Sequence, residues 1–484
     1  MKIRVNTRKF LLLFSFILII SCLILKVFLI FNFPLLNNEP FFAVRALEIT
    51  KGNVLHTGNL FNNHGPLSVY FLSFVSIFSE LNWSSIHLAG FFWDLLILIT
   101  LFFISRKYLG LENAIISSAI YLVLSVAFYG TIYNSEYPCA FFGLLGFLAY
   151  IKFLEKNKSN YLFLAGFLIA ISLWFKQTGF FFFLAIFFNE LYLNFKRENS
   201  FRKLIKNNLI IISGILIFSL PLLTYFFYYT QWKFLEDMII FNLLFETRHS
   251  RIIVLGKFIR MLAFYFGFLF VLILAKPKRT ESENEIKKEP KIIHKITRLF
   301  MIYSIIMILF FAINRELFGT HLMQLAVVLI PLSMIYYSKY KDNSLKIIRI
   351  LLIISLLSIF MVSLEEIARE HLNDEKIEQE QIQSFMKKEI PRGSLVYSVF
   401  DLYPFLGGYQ NPYRWTTLQP NVESIDPMDD FCNFLDNVDY IIFTGHQKKY
   451  LGKKNLNCAY SKFTIIKEFE DIGQSNVEIL KKSS

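Results

Sequence analysis

The apolar positions of this chain fall into long runs, not into amphipathic periods. A helix crossing a bilayer needs about 20 apolar residues, with a range near 17–25. Eleven runs read as spans, beginning with Phe10–Pro34, Ile86–Ser105, Ala114–Tyr133, Tyr137–Phe153 and Tyr161–Phe175. Gly179–Phe195, Leu209–Thr230, Phe258–Leu274, Leu299–Ile313, His321–Tyr337 and Ile347–Val362 complete the set. The first run continues past Cys22 to Phe33, longer than the apolar core of a signal peptide, and therefore reads as an uncleaved helix. Leu67–Ser79 is too short and too polar at both ends to span, and reads as a helix at the outer surface.

Basic residues orient these spans. With a cytoplasmic N-terminus, Arg106–Lys107, the Lys156/Lys158 loop, Lys196–Lys206, Lys276–Arg298 and Lys339–Lys346 all fall inside. The long loop Leu35–Ser85 carries only Arg45 and Lys51 and falls outside. An odd span count places Ser363–Ser484 outside too. There the pattern changes to a polar helical stretch near Asp374–Glu389 and short β-rich runs at Ser394–Phe400, Asp439–Thr444, Phe463–Phe469 and Val477–Leu480. The expected architecture is a polytopic α-helical membrane domain over residues 1–363, with about 11 transmembrane helices plus juxtamembrane helices. A small extracytoplasmic α/β domain over 364–484 follows it. No internal repeat suggests a solenoid or an inverted-repeat transporter.

Composition agrees. The 484 residues are 55% hydrophobic, 18% aromatic and only 18% charged, with a mean hydropathy of +0.47. An ordinary cytosolic enzyme, a disordered chain and a coiled coil are excluded. The net charge of +13 is accounted for by the inside loops, and no basic stripe interleaved with aromatics points to nucleic acid. Four cysteines without a CxxC pair give neither a zinc cluster nor a disulfide framework. Cys432 and Cys458 share the outer domain, where a disulfide and two separate thiols are both open. Lys26 and Asp94 lie at similar depth in the first two spans, and a charge there is costly unless partnered. The two are expected to pair, with snorkelling or a water-filled cavity as the alternative.

The candidate chemistry collects at the outer ends of the spans. Asn38-Glu39-Pro40 opens the first outer loop, and Phe42, Val44, Ala46 and Ile49 after it suggest a helix lying on the membrane surface. Glu39 taken alone is a solvated carboxylate favouring a helix N-terminus. His64, before Pro66, is either a turn residue or a ligand for phosphate or a divalent metal ion. On this topology Glu136, as an exposed carboxylate, emerges on the same outer face as Lys176, Arg315, Glu316 and His321. Two carboxylates with cations and histidines suit phosphate binding and acid–base work.

The order of motifs resembles the GT-C glycosyltransferases of the dolichyl-phosphate-mannose protein mannosyltransferase type. That group includes the bacterial lipid A aminoarabinose and lipopolysaccharide-core sugar transferases. Asn38-Glu39 matches the acidic pair of the first outer loop. Ala46–Gly52, Pro66–Tyr70, Ser135-Glu136 and Lys176–Gly179 match later motifs, as do Arg315, His321 and Pro331. Two positions depart from the pattern. Asn38 stands where the family carries its usual catalytic Asp, and His87 stands where an Arg is common early in the second span. An amide cannot act as a base, so the role passes to Glu39 unless the register is off by one or the activity is altered.

The resemblance implies transfer of a sugar from a polyprenyl-phosphate-linked donor to an acceptor hydroxyl of a cell-envelope glycan, lipid or protein. The reaction takes place at the outer face of the inner membrane. Glu39 is the base, Glu136 orients the acceptor or assists proton transfer, and Lys176, Arg315 and His321 stabilise the departing phosphate. A divalent metal at His64 is left open, and no other cofactor is expected. The rival readings are a transporter or flippase of lipid-linked sugars and an O-antigen polymerase or ligase.

Overall fold

The computed structural model describes residues 7–36, 38–57, 60–198, 200–240, 251–274, 291–313, 319–339, 342–369, 375–398, 401–409, 411, 431–469 and 476–483. Among them, nine helices are long and apolar enough to cross a membrane, and three apolar helices are shorter. Helices α1 (Thr7–Asn32), α2 (Asn38–Thr50), α3 (Leu67–Phe78) and α4 (Trp83–Leu109) are followed by α5 (Leu111–Ala127), α6 (Glu136–Lys156) and α7 (Ser159–Phe175). Next come α8 (Phe180–Phe195), α9 (Phe201–Thr230), α10 (Arg251–Leu274), α11 (Lys291–Ile313), α12 (Met323–Tyr337) and α13 (Asp342–Ile367). Each of the eleven expected spans corresponds to one of these helices; nine of the eleven are long enough to cross a membrane, and α5 and α7, with 17 residues each, are among the shorter ones. The run read as a surface helix is α3.

Two compact units can be distinguished. The first comprises residues 1–28, 90–225 and 249–363; the second comprises 29–89, 226–248 and 364–484.

The first unit is a helical bundle. Burial within it separates centre from rim: the apolar window of the helix Gly319–Tyr337 is 78% buried, that of α1 only 33%. On α1, Leu13, Ile17 and Ile24 point outward, the pattern of a helix whose outer face meets lipid. Helix α6 ends where Asn157 takes the left-handed conformation and returns its N–H to Phe153 O. Gly166 lets α7 and α9 touch, because a Cβ there would lie 2.0 Å from Ile211 O.

Inside this unit Lys26 and Asp94 pair, as their depth predicts: Nζ lies 3.1 Å from Oδ2, and both side chains are 1% exposed. Tyr121 OH donates to Asp94 Oδ1 at 2.7 Å, Ser125 donates to the same oxygen, and Lys26 donates to Ser125 Oγ at 2.9 Å. A charge in hydrocarbon is tolerated only in such company.

The second unit contains α2, α3 and the C-terminal α/β region. That region has α14 (Glu375–Glu389), β1 (Val396–Ser398), α15 (Leu402–Gly407), β2 (Tyr440–Thr444), α16 (Gly445–Lys462), β3 (Phe463–Phe469) and β4 (Val477–Lys482). The sheet order is β1-β2-β4-β3, with β1 and β2 parallel and the other pairs antiparallel. The central strand β2 is buried at every position. All four expected β-runs contain a strand, whereas α16, with little apolar content, was not foreseen. Cys432 and Cys458 form a disulfide with Cα atoms 5.9 Å apart.

Helix α2 corrects one expectation. Instead of laying an apolar face on lipid, it buries Glu39, Pro40, Phe41, Phe42, Ala43, Arg45, Ala46 and Glu48 in protein. Pro40 sits in its first turn, where a missing N–H leaves no helical bond unmade. The buried set includes a guanidinium and two carboxylates, so protein groups must supply what water would have supplied.

Candidate active site

In the second unit the sequence candidates gather around α2. Glu39, in the first turn of α2, is fully buried, contrary to its reading as a solvated carboxylate. Its Oε2 accepts the Leu36 backbone N–H at 3.1 Å and lies 3.3 Å from Nε2 of His87. The other ring nitrogen, Nδ1, lies 3.3 Å from Ile30 O. A carbonyl only accepts, so Nδ1 carries a hydrogen. Nε2 and Glu39 then share one proton: either the ring is imidazolium beside a carboxylate, or a neutral ring faces a carboxylic acid. Asn38 is exposed at the start of the helix. His64 is half-buried, its ring centroid 5.1 Å from Phe42 and 6.1 Å from Phe41. Its backbone is bracketed by Asn62, which accepts from His64 N–H at 3.3 Å and donates to His64 O at 3.0 Å.

A pair absent from the sequence reading lies in the same unit. His56, in the left-handed region at φ 68°, is 1% exposed and places Nδ1 2.9 Å from Asp237 Oδ2. Burial pushes the Asp237 carboxyl above its ordinary range, against the opposing pull of His56. The two residues are 181 positions apart, and no local signal joins them.

In the first unit Glu136, Lys176 and His321 meet. Glu136 opens α6, where its charge favours the helix N-terminus, and it is 1% exposed. Lys176 Nζ donates to its Oε1, and His321 Nε2 stands 3.1 Å from the same oxygen. Ser135 Oγ lies 3.3 Å from Oε2. Lys176 is delivered by the sharp reversal between α7 and α8, a 3-10 turn over Gln177–Gly179. Only glycine fits at its end, because a Cβ on Gly179 would lie 2.5 Å from Leu173 N. Gln324 Nε2 donates to Thr178 Oγ1 at 2.8 Å and fixes that turn to α12. His321 stacks on Phe311, with ring centroids 6.4 Å apart.

The sequence expectation that Glu136 is an exposed group is therefore replaced by a buried cluster of one carboxylate, one ammonium and one imidazole. Such a cluster suits an anion, since a phosphate oxygen can take the place of the carboxylate beside the same donors. Arg315 and Glu316 lie outside the described residues. Among the described residues no group of three or more His, Cys, Asp or Glu side chains is placed to hold a metal ion.

Comparison with known proteins agrees with this architecture. The model of the dolichyl-phosphate-mannose-protein mannosyltransferase family matches residues 63–225. No curated protein matches the chain. Among solved structures, ArnT from Cupriavidus metallidurans in the apo state superposes with a TM-score of 0.64 at 12% identity, over 96% of this chain and 97% of that one. The same protein bound to undecaprenyl phosphate gives 0.61 at 11%, with the same coverage. The Archaeoglobus fulgidus oligosaccharyltransferase gives 0.58 at 12%, over 100% of this chain and 75% of that one. At these identities the likeness shows the fold, and the fold is GT-C.

Proposed function

We propose that this GT-C chain is a membrane glycosyltransferase that takes a sugar from a polyprenyl-phosphate-linked donor and passes it to an acceptor hydroxyl outside the cytoplasm. The observation that carries the reading is the fully buried Glu39 carboxyl beside His87 at the head of α2. A carboxylate removed from water and supported by an imidazole is equipped to take a proton. Support for the donor class comes from the ArnT structure bound to undecaprenyl phosphate, which shares the fold. Support for the compartment comes from the Cys432–Cys458 disulfide, a bond that oxidising compartments permit.

In the reaction, Glu39 accepts the proton of the acceptor hydroxyl. The oxygen lone pair then forms a bond to the anomeric carbon of the sugar. The bond from that carbon to the phosphate oxygen breaks on the opposite side, with inversion, and its electron pair leaves with the polyprenyl phosphate. Lys176 and His321 stabilise the charge developing on that phosphate, as donors aimed at an oxyanion do. Glu136 holds both donors in place before the substrate arrives. His64 and Arg315 are further phosphate ligands in this reading.

The chain is accordingly integral to the inner membrane, with its N-terminus in the cytoplasm. The test is an assay of purified protein in lipid nanodiscs with a panel of polyprenyl-phosphate sugars and envelope glycolipid acceptors. Transfer of sugar with release of polyprenyl phosphate is expected. Movement of the intact lipid-linked sugar across the bilayer without cleavage would replace this reading with a flippase.

A further inference from the structure

Among the described residues, the C-terminal α/β region is hydrogen-bonded to the chain on either side of Glu39. On the N-terminal side, the carboxamide of Gln379 on α14 is 5% exposed. It accepts from Leu35 N–H at 3.1 Å and donates to Leu35 O at 3.0 Å. Leu35 lies four residues before Glu39. On the C-terminal side, Asp401 at the head of α15 is 3% exposed. Its Oδ2 lies 2.6 Å from Nη1 of Arg45, which is itself 2% exposed. Asn411 orients Asp401 in turn, donating to its Oδ1 at 3.2 Å and to Ser398 O at 2.8 Å.

Arg45 spreads this contact further. Nη1 donates to Phe41 O at 2.9 Å, Nε donates to Phe61 O, and the guanidinium lies 3.6 Å over the Phe41 ring. Phe61 adjoins Asn62, the residue that brackets His64. One buried cation thus joins the helix of Glu39, the turn of His64 and a carboxylate of the C-terminal region. A surface-docked module would hold its partner through solvated pairs of little worth. A buried guanidinium without a counter-charge is strongly unfavourable, so here the carboxylate is a condition for the packing of α2.

We infer that the C-terminal region is a clamp on α2, and that Asp401 and Gln379 are positioning residues for the Glu39 base. The functional consequence rests on the transferase reading above; the clamp itself does not. Reacting groups tolerate little misplacement, and a shift of about 1 Å is worth on the order of 10²-fold in rate.

The experiment uses the full chain in nanodiscs, wild type against Asp401→Asn, Gln379→Ala and the double variant, read by hydrogen exchange and by kcat and KM. Asp401→Asn should speed exchange in residues 35–50 and 61–66 by at least about tenfold, and Gln379→Ala mainly in residues 35–40, while β2 and β4 keep wild-type protection. kcat should fall about 10–100-fold with the donor KM within about threefold, and Asp401→Glu should recover most of the loss. Should Asp401→Asn fail to fold, Asn411→Ala supplies the milder lesion with the same pattern. Unchanged exchange over 35–50 in folded Asp401→Asn protein would overturn the clamp, whatever the activity. So would a loss of kcat without altered exchange. A wild type that transfers no sugar would refute the transferase reading and leave the exchange data to judge the clamp.

Discussion

Nε2 of His87 lies 3.3 Å from Oε2 of Glu39, while Nδ1 of the same ring is committed to Ile30 O. This arrangement predicts how a variant will behave. In Glu39→Gln the new carboxamide can donate to a neutral Nε2, so no charge is stranded; the oxygen it replaces also accepts Leu36 N–H, so one neutral hydrogen bond is lost and melting should shift by about 1–3 kcal/mol. Turnover should fall by about 10²–10⁴-fold, the usual worth of a general base. Full activity in this variant would remove Glu39 from the base role. Asn38→Asp then decides, since a gain in rate there would locate the base at the exposed start of α2.

Glu136→Gln should behave differently. Lys176 and His321 both face Glu136 Oε1, and Lys176 is only 9% exposed. Removing the carboxylate leaves a buried ammonium without its partner, at a cost of about 3–5 kcal/mol. Expression and melting should drop together with activity. Adding Lys176→Met should restore melting in part without restoring transfer. Equal melting of Glu136→Gln and wild type would mean that the cluster is not closed as described.

Lys26 and Asp94 form a mutual dependence inside the bundle. Lys26→Met and Asp94→Leu should each destabilise by about 3–5 kcal/mol. The double variant should lose at least about 1 kcal/mol less than the sum of the two, because neither charge is then left alone. Thermal melting in one detergent measures all three. Strict additivity would show that the two groups act independently. Gly130→Ala should also destabilise, since its Cβ would lie 2.6 Å from Lys26 Nζ.

Asp237 gives a pH signature. Burial raises its carboxyl above the ordinary value of 3.8, so the folded state holds this proton more tightly than the unfolded chain does. Its contribution to stability is full below that ordinary value and is lost as pH rises through the folded value. Asp237→Asn cannot ionise. Its melting temperature relative to wild type should therefore climb as pH rises above about 4. A difference that stays flat with pH, or falls, would contradict the assignment.

Much of this molecule is one-dimensional information. Eleven apolar runs are helices, nine of them long enough to cross a membrane; a span in lipid must satisfy its own backbone bonds, and that requirement is local to the run. The Lys26–Asp94 pair was legible for the same reason: depth along two helices can be counted from their ends, and a lone charge at that depth is excluded. The strands of the tail follow their β-branched and aromatic runs. Glu136, Lys176 and His321 were legible as helix-end polar residues near span boundaries, although not as one buried cluster.

What only the tertiary structure decided is which polar residues lose their water, and to whom. Arg45 on α2 reads as a solvated residue of a surface helix until Asp401, 356 positions away, closes over it. Glu39 reads the same way until His87 faces it. Gln379, Asp237 and His56 carry no local pattern, because their partners lie on segments that become neighbours only through the packing of the second unit. A sequence states the periodicity that buries an apolar side chain, since that depends on spacing alone. The burial of a charge depends on a partner arriving from elsewhere in the chain at hydrogen-bond distance, and that is a property of the folded molecule.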